Sequence, residues 1–251
     1  MIKSLTRSAI YGLLYCIIIS SVACTSPLSN EKITDLSLIN AEIEITQNPE
    51  NKQANSVVVI LRDNKGRRIS NDSVSIIVNG VEASLSRRQG LYYTNESGYI
   101  LADVPVSATY KVDLKLPDQK IYSLGSVAAL AEENTGNITC NEAGDLNKDF
   151  MMSWKGLKNM DELSVSISEL RKNSPANEKN YNYRPQQILK IGSSGTYALS
   201  KALYENDTAI ISGIEFDFST SKEGAVNPEL LPGSKISIKT LIEKNVNFEE
   251  E

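Results

Sequence analysis

No histidine occurs among the 251 residues of this chain. That absence removes Ser-His-Asp and Cys-His catalysis, histidine-ligated zinc and the most frequent general base near neutral pH. A Ser-Lys dyad, a carboxylate pair or an oxygen-ligated cation site stays open chemically, but no motif signals one. The chain also lacks a basic excess: its formal net charge is -5, which argues against nucleic acid, whose phosphates demand a basic face. Charged residues make up 23% and aromatic residues 6%, with both charge signs interspersed. This is the composition of a folded body and not of a disordered one.

What is present begins with an export signal. Lys3 and Arg7 precede AIYGLLYCIIISSVAC, residues 9–24, in which an apolar run over 9–19 leads to the small residues Ser21, Val22 and Ala23 and then Cys24. The run is shorter than the roughly 20 apolar residues that a membrane-crossing helix needs. At Ser21-Val22-Ala23-Cys24 the chain resembles the lipobox of bacterial lipoproteins, which implies cleavage before Cys24 and lipid attachment to it. Ser21 and Ala23 also satisfy the small-x-small pattern of an ordinary secretory signal, cut at the same bond. Lipidation is the preferred reading, because an unlipidated product begins with an exposed thiol. Thr25 in place of Asp implies, by the family's sorting pattern, the outer membrane. Two or more acyl chains, at about 0.8 kcal/mol per buried methylene, make a durable tether. Cys16 leaves with the signal, so Cys140 is then a lone thiol; without lipid, Cys24 and Cys140 are free to pair. In the strand-like NITC, Cys140 reads as a small buried hydrophobe.

Residues 25–34 are polar or structure-breaking and read as a tether. Period-two alternation begins at Leu36 and Leu38 and continues through Ile43 and Ile45. SVVVILRD, residues 56–63, suits a central strand, and Asn64-Lys65-Gly66 supplies its turn. Val74, Ile76 and Val78 alternate up to Asn79-Gly80, the strongest hairpin signal in the chain. Residues 91–94 and 99–104 read as strands joined by a turn at Asn95, Glu96, Ser97 and Gly98. Tyr110, Val112, Leu114 and Leu116 alternate before Pro117, and residues 121–130 form a last strand. Seven or so short strands in this length predict an immunoglobulin-like sandwich.

After EENTGN a second unit starts. Residues 138–140, 150–154, 163–170, 188–191, 196–204, 208–218 and 235–246 read as its strands, and RKNSPANEKNYNYRPQQ, residues 171–187, as its longest loop. MSWKGL and GTYALSKAL, residues 152–157 and 195–203, give this unit a resemblance to fibronectin-like or immunoglobulin-like envelope modules. The antibody subtype is excluded because no second cysteine pairs with Cys140. Trp154 reads as the largest core residue. The division is therefore a signal peptide at 1–23, a tether at 24–34, one β-sandwich at 35–131 and another at 132–251, all β and in tandem.

Few constellations invite a sharper reading. Asp145, Asn147 and Asp149 have the spacing that opens a calcium loop, but Phe150 and Gly156 stand where an EF-hand needs Gly and Glu. Tyr181, Tyr183 and Arg184 sit in the long polar loop, where exposed rings can stack on a sugar or a partner's peptide. Folding of the rings back over the sandwich edge is the blander alternative. Tyr92 and Tyr93 fall on opposite faces of a strand, and the Arg67-Arg68 and Arg87-Arg88 doublets solvate strand ends. The sequence thus predicts a lipid-anchored envelope protein acting as a non-catalytic binding or structural module, with no cofactor, no metal and no nucleic acid. Its expected partners are the membrane, through lipid on Cys24, and a protein or glycan of the envelope. A carbohydrate-binding or adhesin module is the alternative, with a platform of Tyr181, Tyr183 and Trp154 as its discriminator. A histidine-independent hydrolase ranks below both.

Overall fold

The computed structural model describes residues 28–29, 33–89, 95–173 and 178–248. The signal, Cys24, most of the tether, Tyr92, Tyr93 and the terminal 249–251 lie outside the described residues. The all-β class read from the alternation holds: the described residues contain strands and short 3-10 turns and no α-helix. The first strands are β1 (Ile39–Thr46), β2 (Asn55–Asp63), β3 (Ser75–Val78), β4 (Val81–Glu82), β5 (Ser84–Gln89), β6 (Asn95–Val104), β7 (Thr109–Lys115) and β8 (Ile121–Ala128). They are followed by β9 (Ile138–Thr139), β10 (Ala143–Gly144), β11 (Phe150–Lys155), β12 (Glu162–Arg171), β13 (Tyr181–Tyr183) and β14 (Gln187–Lys190). The last are β15 (Ser194–Leu199), β16 (Ala209–Glu223), β17 (Ala225–Val226) and β18 (Lys235–Phe248).

A ten-stranded sheet in the order β13-β12-β16-β18-β1-β2-β6-β5, with β14 on β12 and β10 on β18, forms one layer. A five-stranded sheet, β17-β8-β7-β3-β4, and a three-stranded sheet, β15-β11-β9, supply the facing strands. Their inward side chains form two clusters. In the first, Ile43, Ile45, Val57 and Val59 of the large sheet meet Ile76, Val112, Leu114 and Leu124 of the five-stranded one. In the second, Leu163, Val165, Phe216 and Phe218 meet Phe150, Met152, Trp154 and Tyr197.

The strand read as the last of the second unit is shared between the clusters. β16 and β18 are 15 and 14 residues long, and at about 3.3 Å per residue they extend about 50 and about 46 Å. β18 pairs antiparallel with β16 along most of its length, while its first residues pair parallel with β1, from Glu42↔Lys235 to Thr46↔Lys239. Residues 132–251 therefore supply Leu230, Ile236 and Ile238 to the first cluster. The tip of this hairpin sits tightly on β8: a Cβ on Gly224 would lie 2.3 Å from the Ser126 carbonyl oxygen, so only glycine admits that approach.

Local signals behave as turn chemistry predicts in several places. Asn79 and Gly80 both have positive φ, 48° and 87°, as a tight hairpin between β3 and β4 requires. Two strand readings shift. Leu36 and Leu38 lie in a 3-10 turn, because the Asp35 carboxylate accepts from the Ser37 backbone N–H at 2.7 Å and caps it. Asn95 to Gly98, read as a turn, belong to β6, where pairing with β5 continues from Ile100 back to Asn95. Turn-forming side chains yield there to the backbone pairing offered by a neighbouring strand.

The turn after β2 is closed by Asp63, a residue 3% exposed. Its Oδ1 accepts from the backbone N–H groups of Lys65 and Arg67, each at 2.9 Å. Its Oδ2 accepts from Arg67 Nε at 2.7 Å and forms an ion pair with Nη2 at 2.6 Å. Burial alone would raise this carboxyl, but the Arg67 guanidinium, the Ser29 side chain and the N–H groups outweigh it and hold the pKa at about 2. A carboxylate whose folded pKa lies below its unfolded one adds stability above the unfolded value and loses it as pH falls through the folded value. Between pH 5 and pH 2 the protein should therefore lose about 2 kcal/mol at this turn. Urea midpoints across that range measure the loss, and Asp63→Asn should flatten the corresponding part of the slope.

Candidate functional site

Tyr181 and Tyr183 form the outermost strand of the large sheet. β13 pairs with β12 through Leu170↔Tyr181, Glu169↔Asn182 and Ser168↔Tyr183, so the two rings fall on one face with Asn182 turned the other way. That face is the outer one, since Val165 and Ile167 of β12 point into the second cluster. Tyr181 is 49% exposed and Tyr183 76%. The rings do not fold back over the sandwich edge. β14 continues the same edge after Pro185 and exposes Ile188 by 62%. Part of the segment read as one loop, 171–187, is thus strand, because β12 offers it an unpaired ladder; residues 174–177 lie outside the described residues.

Arg184 takes a different place. Its Nε donates to Glu169 Oε1 at 2.8 Å, and Nη2 forms an ion pair with that oxygen at 2.7 Å and donates to the Leu203 carbonyl at 2.6 Å. Glu169 is buried on the inner side of β12. Arg184, named with the tyrosines as a possible partner-binding residue, therefore fastens the edge strand to the loop around Leu203. A charge-assisted pair of this kind holds β13 where a lone three-residue strand would fray.

Trp154 is 6% exposed in the second cluster, edge to face with Phe218 at 5.4 Å, and its indole N–H donates to the Gly192 carbonyl at 3.0 Å. A sugar platform of Tyr181, Tyr183 and Trp154 does not form. Asp145, Asn147 and Asp149 do not converge either. Asp145 Oδ1 accepts from the Asn147 N–H and Oδ2 pairs with Lys148, while Asp149 Oδ1 accepts from the Lys201 N–H. Cys140 is half-buried and carries a free thiol, pushed up in pKa chiefly by burial.

A cluster that sequence reasoning missed lies farther in on the outer face. Glu215 and Asp217 of β16 and Glu243 of β18 bring carboxylate oxygens within 4.8 Å of one another. Asp217 and Glu243 are direct cross-strand partners. Burial, then the charges of Glu215 and Glu243, raise the Asp217 carboxyl. The period-two spacing of Glu215 and Asp217 was visible; the register that adds Glu243 was not.

No protein-family model matches the chain, and no curated protein sequence matches it. Among solved structures it is similar to the Yersinia pseudotuberculosis adhesin InvE, at 10% identity and a TM-score of 0.24, over 84% of this chain and 59% of that one. It is also similar to the native conformation of E. coli alpha-2-macroglobulin, at 11% identity and a TM-score of 0.23, over 88% of this chain and 15% of that one. The chain thus spans less than two thirds of the length of either.

Proposed function

We propose that this chain is a lipid-anchored protein of the bacterial envelope, held at the outer membrane through Cys24, that works without catalysis by binding a protein partner at the β13 edge. The observation that carries the binding role is the pair of rings at Tyr181 and Tyr183, exposed on one face of a strand whose far edge has no neighbour in the sheet among the described residues. Such an edge offers backbone N–H and C=O groups to an extended segment, and adjacent rings supply contact area at low cost in side-chain entropy. Pro185 limits this edge to a few residues, which favours a short specific contact over open-ended strand addition. The SVAC sequence and the signal before it support the anchor, and Thr25 after the cysteine supports the outer membrane.

The test uses the full chain in its native membranes. A photo-crosslinking residue at position 183 should capture one defined neighbour, and the same residue at Met151, which is 65% exposed on the three-stranded sheet, should not. Tyr181→Ala with Tyr183→Ala should lower capture of that neighbour by tenfold or more from a second probe position at Ile188. Their unfolding free energies should stay within about 0.5 kcal/mol of the parent, as for other exposed substitutions. Mass spectrometry of the mature N-terminal peptide should find an acyl adduct on Cys24. Equal capture from positions 183 and 151 would overturn the binding edge, and an unmodified N-terminus would overturn the anchor.

A further inference from the structure

A cavity of about 130 Å³ lies where the two clusters meet, with Gln47, Pro49, Val106, Leu130, Glu133 and Thr240 in its wall. Four separate stretches converge there: the end of β1, the loop after β6, the linker after β8 and the middle of β18. Two of these side chains are nine-tenths buried or more and carry a polar atom with no hydrogen-bond partner. Glu133 is 6% exposed and its Oε2 is unpartnered; Thr240 is 3% exposed and its Oγ1 is unpartnered. The carboxylate is aimed by its other oxygen. Glu133 Oε1 accepts from the backbone N–H groups of Lys158 at 2.7 Å and Asn159 at 2.5 Å, and from Asn159 Nδ2 at 3.2 Å. The Gln47 amide is closed on both backbone groups of Leu130, at 3.1 Å each, and adds no free polar atom. An exposed ion pair, Lys52 with Glu132, stands at the rim.

A buried carboxylate oxygen without a donor is costly, and a buried hydroxyl in the same state in the same cavity wall adds to that cost. We propose that this cavity binds an organic ammonium group, a primary amine on a short alkyl stem, supplied by a free amine or by a lysine side chain. The Glu133 charge excludes an anion. Calcium takes six to eight oxygens and magnesium a full octahedron, whereas only two buried side-chain oxygens of the wall lack a partner; the Gln47 and Asn48 oxygens already accept from backbone N–H groups, and Glu132 is paired with Lys52 at the rim. An ammonium presents three donors: one meets Glu133 Oε2, one meets Thr240 Oγ1, and the stem lies along the apolar wall as a lysine stem does. Size agrees as well. A cavity of about 150 Å³ accepts benzene, with its roughly six heavy atoms, and n-butylammonium has fewer. Water alone, about four molecules at about 30 Å³ each, would satisfy the hydrogen bonds but leave the buried charge uncompensated.

The experiment is a titration of the purified, isotope-labelled full chain followed through the backbone amides of residues 131–133 and 240. The probes are n-butylammonium chloride, Nα-acetyl-lysine N-methylamide, butan-1-ol and calcium chloride. Saturable shifts with n-butylammonium are expected, with binding weakened tenfold or more in Glu133→Gln and in Thr240→Val. A matching response to the lysine amide assigns the group to a peptide-borne lysine; a response to n-butylammonium alone assigns it to a free amine. A response to butan-1-ol as large as that to n-butylammonium, saturation by calcium, no saturable shift, or unaltered affinity in both variants would overturn the proposal. Glu133 also holds residues 158–159, so if Glu133→Gln does not fold, Thr240→Val decides the comparison alone.

Discussion

Ile238→Ala is expected to cost about 2–5 kcal/mol, and to weaken the amides of β1 and β2 although the residue stands near the end of the chain. Ile238 is fully buried. It is registered beside Ile45 of β1 on one side and Lys222 of β16 on the other, and its side chain belongs to the first cluster with Ile43, Val57 and Val59. Truncation leaves a void among residues that cannot close over it, because both flanking strands are fixed by their own ladders. Native-state hydrogen exchange reads the result: protection should fall across residues 39–63. A loss confined to β12 and the far end of β18 would show that the first cluster does not depend on β18.

This dependence is the part of the fold least legible in the sequence. Alternation at Ile43 and Ile45, or at Ile236, Ile238 and Ile242, announces which face of a strand is buried. It does not announce the neighbour. The paired residues of β1 and β18, such as Glu42 and Lys235, are about three quarters of the chain apart, and their parallel pairing leaves no local trace such as a two-residue turn. The same limit hid Glu243 from Glu215 and Asp217, and Thr240 from Glu133. By contrast Asn79-Gly80 was readable, because its hairpin is encoded in adjacent residues. Tyr181 and Tyr183 were visible as a pair, but their exposure depends on β12 accepting β13 as an edge strand. The pairing of Arg184 was not readable because its partner, Glu169, is a charged residue on the inward side of a strand, where alternation predicts an apolar one.

Phe216→Ala is expected to cost about 3–5 kcal/mol, and the single tryptophan makes its range measurable. Phe216 is fully buried, stacked on Phe150 at 5.6 Å and edge to face with Tyr197 at 5.3 Å. Each such ring pair contributes about 0.5–1.5 kcal/mol beyond area burial, so the removal falls at the upper end of core truncations. Against a total stability of about 5–15 kcal/mol, the guanidinium midpoint should fall by a third or more. Trp154 packs on the neighbouring Phe218, so its fluorescence follows the second cluster. Because β18 contributes to both clusters and pairs with β16 along most of its length, Ile238→Ala should shift the same Trp154 transition even though it alters the other cluster. The double variant should then unfold in one step, with its cost equal to the sum of the two within about 0.5 kcal/mol, as for separated sites in one cooperative body. If Ile238→Ala instead leaves the Trp154 midpoint in place while exchange protection in β1 and β2 collapses, the shared hairpin does not transmit stability. The two clusters would then unfold as separate units despite the continuous sheet.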